Sequence, residues 1–143
     1  MGTAEVNDAH WRLPPLSRSV PEARRDVAST LEQWGLAGLA DTAVLLVSEV
    51  VTNAVLHART EVLLTMARVG SGVRIEVSDG STLPPALRWH SATSTTGRGL
   101  RMLDLLADSW SAESTSTGKT VWFTISGDRD PWAATAMSAE GGA

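Results

Sequence analysis

Two pairs of short strand patterns, each joined by a tight turn that contains glycine, constrain the fold of this chain more than any other feature. The first pair joins Glu61–Val69 to Val73–Ser78, and the second joins Ser109–Ser114 to Lys119–Ser126. Strands linked by so short a turn pair antiparallel, whereas parallel strands need a long crossover. We therefore predict a mainly antiparallel sheet and exclude a doubly wound parallel one.

Three helices are predicted from end signals and from apolar residues at helical spacing. The first begins at Ser19-Val20-Pro21 and ends at Gly35, which suits the position after a helix C-terminus. The second runs from Asp41 to about His57 with a broad apolar surface, and Gly97-Arg98-Gly99 opens the third. With the helices on one face of the sheet, the predicted fold class is α+β, a two-layer sandwich.

The chain divides into a central domain and two flanking segments. Residues 1–18 are predicted to be an extended N-terminal segment without regular structure, because Pro14-Pro15 forbids a helix there. Residues 19–127 form the folded domain. Residues 128–143 are rich in glycine, alanine and serine and are predicted to be a disordered tail.

The composition excludes several classes of protein. The 143 residues suit one domain, with 43% hydrophobic and 20% charged residues. We find no apolar run of about 20 residues and no secretion signal, so we expect a cytoplasmic protein. The absence of cysteine excludes disulfides and thiolate metal sites. A net charge of -4 without a basic run argues against direct nucleic-acid binding.

The second helix carries a polar column within the stretch SEVVTNAVLHA, residues 48–58. Glu49, Asn53 and His57 are four residues apart, so they lie one above another on one face. A carboxylate, an amide and an imidazole in this arrangement suit a ligand site. A solvated polar face of an amphipathic helix explains the same column.

A carboxylate ends the second predicted strand within IEVSDGS, residues 75–81. By parity, Asp79 lies on the same face as Val73, Ile75 and Val77, and Gly80 lets a ligand or backbone come close. An unpaired buried carboxylate is costly, and an exocyclic amine such as N6 of adenine would pair with it. The alternative is an aspartate that only closes an Asx-turn.

The start of the third helix, within TTGRGLRMLDLLADSW (residues 95–110), offers unpaired N–H groups to an anion. Gly97 and Gly99 expose these amides, and Arg98 adds positive charge. The alternative is a plain loop before a helix.

Gly118-Lys119-Thr120 resembles the end of a P-loop. We discard a P-loop here, because Glu113 stands where its first glycine is needed and a strand follows instead of a helix.

These stretches, in this order, resemble the GHKL, or Bergerat-fold, ATP-binding superfamily, and more narrowly the bacterial anti-sigma factor and serine-protein kinase family. SEVVTNAVLHA is similar to the N box, VSDGS to the first glycine box, and TGRGL to the second. GKTVWF, residues 118–123, is similar to the last strand of that family. The resemblance covers about Leu13 to Ile125.

The resemblance implies ATP and Mg²⁺ as cofactors and assigns roles along the N box. Asn53 would bind the Mg²⁺ that bridges the phosphates. Glu49 would act as the general base on the attacking hydroxyl or water, and His57 would lie near the phosphates.

The same resemblance assigns the adenine and phosphate contacts. Asp79 would accept a hydrogen bond from adenine N6, with a water shared by a threonine at the position of Thr120. The remaining nucleotide-binding residues implied by the two glycine boxes are Gly80, Gly97, Arg98, Gly99 and Leu100.

The implied function is that of a cytoplasmic regulator that holds a sigma factor inactive and phosphorylates a serine or threonine of a STAS-domain antagonist. The alternatives are a nucleotide-dependent binding regulator without kinase activity and a simple ATP hydrolase. The first glycine box lacks the second glycine of Asp-x-Gly-x-Gly, which bears on turnover more than on binding. Without a phospho-acceptor histidine segment, we expect no sensor histidine kinase.

Members of the family often pair, so a homodimer is a further expectation. Trp11, Leu13 and Leu16 form an apolar segment that would cross to a second subunit. The alternative, which the sequence leaves open, is that the segment folds back onto its own sheet.

Overall fold

The computed structural model describes residues 8–81 and 101–127, in which five strands form one antiparallel sheet of order β1-β2-β3-β5-β4. The strands are β1 (Asp8–Leu13), β2 (Val62–Val69), β3 (Gly72–Asp79), β4 (Ser109–Thr115) and β5 (Gly118–Ser126). The helices are α1 (Ser19–Gln33), α2 (Ala40–His57, after a 3₁₀ turn at Ala37–Leu39) and the described part of α3, residues 101–106. The predicted α+β class is confirmed.

The two helices before the first hairpin pack against each other and cover one face of the sheet. In α1, the buried residues Ala23, Val27 and Leu31 recur every four positions, which makes one apolar stripe. The helix ends as predicted, because Gly35 takes a left-handed conformation with φ of 75°. There the Leu36 N–H reaches back to the carbonyl of Leu31 at 2.7 Å.

Helix α2 is the central helix of the core. By length and apolar composition alone, residues 37–57 are long and apolar enough to cross a bilayer, contrary to the expectation from the sequence. In this fold, α2 packs against α1 and β3, with Leu46, Val47 and Val51 fully buried. Its apolar character is therefore accounted for by the core of the domain.

The sheet has one apolar face and one polar face, because side chains alternate along each strand. The apolar face meets the helices and is built from Leu64, Met66, Val73, Ile75, Val77, Val121, Phe123 and Ile125. On the other face, Arg74 lies 4.1 Å from the ring centroid of Trp122 and contacts Glu76 at 2.9 Å. A residue's position in a strand therefore decides whether it faces the core.

The N-terminal segment differs from the prediction, because residues 8–13 form a regular strand. This strand, β1, pairs antiparallel with β2 from Asp8 opposite Ala67 to Leu13 opposite Val62. Leu13 is buried in the core, so the segment folds back onto its own sheet. Alternation of apolar and polar residues in DAHWRL was the missed signal. The homodimer itself stays a prediction.

The remaining predicted elements agree with the structure within a residue or two, where they are described. Both hairpins are present, and β2 meets β3 in register from Leu63 opposite Ser78 to Val69 opposite Gly72. The predicted tail at 128–143 lies outside the described residues.

A carboxylate on α1 gives a pH-dependent prediction. Burial raises the pKa of Asp26, Glu22 raises it further, and Arg25 opposes them. The folded chain therefore holds this proton more tightly than the unfolded chain, so the contribution of Asp26 to stability is lost as pH rises through its folded pKa. We expect Asp26→Asn to raise the Tm slightly at pH 7.

The check is thermal unfolding of both proteins from pH 3 to pH 8. The gain in Tm should disappear below the ordinary aspartate value of 3.8, where the carboxyl group is neutral in both states. A difference in Tm that is the same at every pH would show that the substitution acts through packing instead.

Candidate functional site

The site is built around Asp79, the last residue of β3. Its side chain is fully buried on the helix-covered face, as strand parity predicted. Oδ1 accepts a hydrogen bond from the backbone N–H of Ser81 at 2.8 Å, which is the Asx-turn that the sequence left open as an alternative. Oδ2 lies 3.5 Å from Nζ of Lys119. One oxygen thus fixes the turn while the other faces a buried ammonium group.

A hydroxyl group ties the end of β3 to the end of α2. The Gly80 N–H donates to Oγ1 of Thr60 at 2.8 Å, and Thr60 follows the last residue of α2 by three positions. Arg59, with φ of 57°, turns the chain sharply between them. A Cβ on Gly80 would lie 3.3 Å from the Thr60 side chain, so glycine permits this contact. The C-terminal end of α2 therefore meets the strand end that carries Asp79.

The polar column of α2 is graded in exposure. Asn53 is 3% exposed, Glu49 is half-buried, and His57 is exposed at the end of the helix. A solvated polar face would leave all three in water, so that alternative does not describe Asn53. The structure therefore places an amide inside the domain, with a carboxylate one turn before it.

Lys119, rather than Thr120, lies beside Asp79. The register pairs Asp79 with Lys119 and Ser78 with Thr120, and neighbouring residues of a strand face opposite sides. Thr120 Oγ1 hydrogen-bonds Ser78 Oγ at 2.8 Å on the polar face. The resemblance assigned an adenine contact to Thr120, but in this fold its side chain faces away from Asp79.

Sequence reasoning missed Lys119, although a signal was available. Val121, Phe123 and Ile125 alternate along β5, and extending that alternation backwards puts Lys119 on the core face. The residue was considered only as part of a P-loop ending and as the start of the last strand, without a role in the site. Its side chain is 3% exposed in the structure.

Close backbone contact fixes the positions of Asp79 and Lys119. A Cβ added to Gly118 would collide with the Asp79 carbonyl oxygen and lie 3.2 Å from the Gly80 Cα. Only a residue without a side chain lets β5 begin this close to the end of β3. Gly118 is therefore part of the site's geometry.

Three of the seven buried polar residues in the described ranges lie together at this end of the sheet, namely Asp79, Ser81 and Lys119. The predicted phosphate-binding residues lie outside the described residues: Gly97, Arg98, Gly99 and Leu100. The described part of α3 begins directly after them.

The comparison with protein families identifies the family of this domain. The profile described as histidine kinase-like ATPase domain matches residues 13–125, which is most of the chain. The chain belongs to this family. The GHKL superfamily expected from the motifs is thereby confirmed.

One solved structure supports the same fold. It is the histidine kinase domain from the blue-light activated histidine kinase of Erythrobacter litoralis EL346, with a TM-score of 0.56 and 19% sequence identity. The match covers 79% of this chain and 63% of the other, so this ATPase domain spans less than two thirds of that protein's length. A search of curated proteins finds no match.

The described side chains fit an adenine nucleotide with a magnesium ion. Asp79 provides a buried acceptor for an exocyclic amine, within a glycine-lined turn. Asn53 provides an amide oxygen, and Mg²⁺ prefers oxygen ligands while keeping several waters or phosphate oxygens. Asn53 would therefore hold the metal, which neutralises phosphate charge when bound.

The close approach of β3 and β5 predicts the effect of a single methyl group. Gly118→Ala should push the Asp79 backbone away and lower the free energy of unfolding by about 1–3 kcal/mol, the usual scale for overpacking. ATP affinity should fall as well, because the carboxylate of Asp79 moves with its backbone. Thermal unfolding and titration calorimetry measure the two effects.

Gly38→Ala is the matched control. A Cβ at Gly38 would meet nothing within 4 Å, so the same chemical change should leave ATP affinity unaltered. If Gly118→Ala binds ATP as tightly as the unsubstituted protein, the close contact does not position Asp79.

Proposed function

We propose that this chain is a cytoplasmic ATP-binding regulator of the anti-sigma factor type. It binds a sigma factor and, using ATP and Mg²⁺, phosphorylates a serine or threonine of a STAS-domain antagonist. The observation that carries the proposal is the family match over residues 13–125, which supports ATP binding. The resemblance of the motifs to anti-sigma factors supports the narrower role.

The proposed nucleotide position follows from the two ends of the site. Asp79 would receive the adenine amine at the end of β3. Asn53, on the buried face of α2, would bind the Mg²⁺ that contacts the phosphates. The Thr60–Gly80 hydrogen bond holds these two elements together, at 2.8 Å. The glycine residues before α3 would supply backbone N–H groups to the phosphates.

Glu49 supports the kinase role. It lies one helical turn before Asn53 on the same face of α2 and is half-buried, so its carboxylate is near the proposed metal position and remains accessible. In the proposed reaction, Glu49 takes the proton from the serine or threonine hydroxyl as that oxygen bonds to the γ-phosphorus. ADP leaves with the electrons of the broken P–O bond.

A binding regulator without kinase activity is the second candidate. It would use the same ATP site, and the incomplete first glycine box after Asp79 favours it. Incubation with γ-labelled ATP and candidate STAS proteins separates the two, because only a kinase transfers the label. ATP hydrolysis without a protein acceptor is the third candidate.

We also propose a homodimer. β1 is an edge strand of the sheet in the described residues, and an edge strand presents backbone N–H and C=O groups that a second chain can pair with. Leu16, just beyond this strand, is 47% exposed.

The metal role of Asn53 has a direct test. Asn53→Ala should remove the Mg²⁺-dependent part of ATP affinity, a loss of about tenfold or more, and keep the rest. Titration calorimetry with Mg²⁺ and with EDTA measures this part in both proteins. Val50→Ala, a truncation at an equally buried position of α2, controls for the loss of packing. Mg²⁺ dependence that persists in Asn53→Ala contradicts the assignment.

A substitution at Glu49 should affect phosphoryl transfer without affecting ATP binding. Glu49→Gln keeps the shape of the side chain but cannot accept the proton. ATP affinity should therefore stay within about threefold, while antagonist phosphorylation falls by roughly a hundredfold or more.

Glu61→Gln is the control for this substitution, since Glu61 pairs only with the exposed Arg12 at the sheet edge among the described residues. Both quantities are measured on one preparation of each protein. Equal losses of affinity and activity would make Glu49 a structural or metal-site residue. No phosphorylation by the unsubstituted protein, with any STAS protein of the source organism, would favour the binding regulator.

A further inference from the structure

Lys119 is the only lysine in the chain, whereas the other eleven of its 12 basic residues are arginines. Its side chain is 3% exposed, while lysine side chains are almost always at the surface. It therefore does not serve the solubility of the protein.

Lys119 and Asp79 form a buried ion pair at the end of the sheet. Nζ lies 3.5 Å from Oδ2, longer than the roughly 2.7–2.9 Å of a well-made charged hydrogen bond. The other oxygen, Oδ1, is engaged by the Ser81 N–H. An ammonium group carries three donors, so it can contact Asp79 and also donate to a further group.

Stability gives little reason for such a pair. Removing two charges from water is costly, and apolar residues in their place often make a protein as stable or more stable. A pair at the buried end of a ligand site has another use, because it offers one acceptor and one donor side by side.

We propose that Lys119 reads the base of the bound nucleotide by donating a hydrogen bond to adenine N1, next to the amine that Asp79 accepts from. The inference rests on the proposed ATP site. Adenine presents a donor at N6 and an acceptor at N1, two atoms that are bonded to the same carbon, C6. Oδ2 of Asp79 and Nζ of Lys119 present the complementary acceptor and donor on the core face of β3 and β5.

This assignment changes the part that β5 plays in recognition. The resemblance implied a water shared with Thr120, whose side chain instead faces the other side of the sheet and bonds Ser78. Lys119 takes the place of that water on the side facing Asp79. Selection of the base then depends on the ammonium group of Lys119, whose position is set by the register of β3 and β5.

The test compares ATP with 1-deaza-ATP, in which N1 is replaced by C–H. The unsubstituted protein should bind 1-deaza-ATP about tenfold to a hundredfold more weakly, the usual scale for a lost charged hydrogen bond. Lys119→Met keeps most of the length of the side chain and has no donor, so it should bind the two nucleotides equally. Any general loss in this variant cancels in the ratio of the two affinities.

Two more variants keep the test decisive. If Lys119→Met does not fold, Lys119→Gln gives the same comparison, because its amide ends one bond short and should lose most of the preference. Thr120→Val examines the rival assignment, and it should keep the full preference for ATP.

A spectroscopic readout comes from the single lysine. Protein labelled with ¹³C at lysine Cε gives one side-chain NMR signal, which should move on binding ATP and move to a different position with 1-deaza-ATP. This signal reports on Lys119 directly and does not depend on kinase activity.

The outcomes separate the inference from the proposed function. If the ratio of the affinities for ATP and 1-deaza-ATP is the same in the unsubstituted protein and in Lys119→Met, the role of Lys119 is overturned. The ATP site is unaffected by that result. If Thr120→Val loses the preference for ATP over 1-deaza-ATP and Lys119→Met keeps it, the role of Lys119 is overturned as well. Failure of the unsubstituted protein to bind ATP overturns both.

Discussion

The close approach of β3 and β5 at one end of the sheet is the constraint on which the candidate site depends. Gly118 has no side chain, so the two backbones come close enough to set Asp79 opposite Lys119. The Thr60 hydroxyl then fixes Gly80 and brings the end of α2 to the same place. Three separate parts of the chain are thus held together by contacts that involve few side-chain atoms.

Helix α2 has to serve the core and the site at once. Most of its surface is apolar because it packs on α1 and the sheet, and this makes it apolar enough to suggest a membrane span. The polar column runs through that apolar surface, and its burial is greatest at Asn53. An amide can be buried there at lower cost than a charge, because it carries no net charge to desolvate. The half-buried Glu49 and the exposed His57 keep more contact with water.

Much of the fold could be predicted because its signals are local. Turn glycines and strand alternation predicted both hairpins. The helical spacing of apolar residues, together with Gly35 after the C-terminus, predicted α1. The edge strand β1 was missed because Pro14-Pro15 dominated the interpretation of the segment before it. The position of Asp79 followed from parity within one strand. The position of Lys119 beside Asp79 depends on the register between two strands that are distant in sequence. No local pattern predicts which residues lie opposite each other across β3 and β5.

The buried pair at the end of the sheet would divide base recognition between two strands. Asp79 of β3 would present the acceptor and Lys119 of β5 the donor, with 3.5 Å between Oδ2 and Nζ. Both groups owe their positions to the register of β3 and β5, which sets the two residues opposite each other. Their contributions are separable, because only the hydrogen bond from Lys119 depends on N1 of the base.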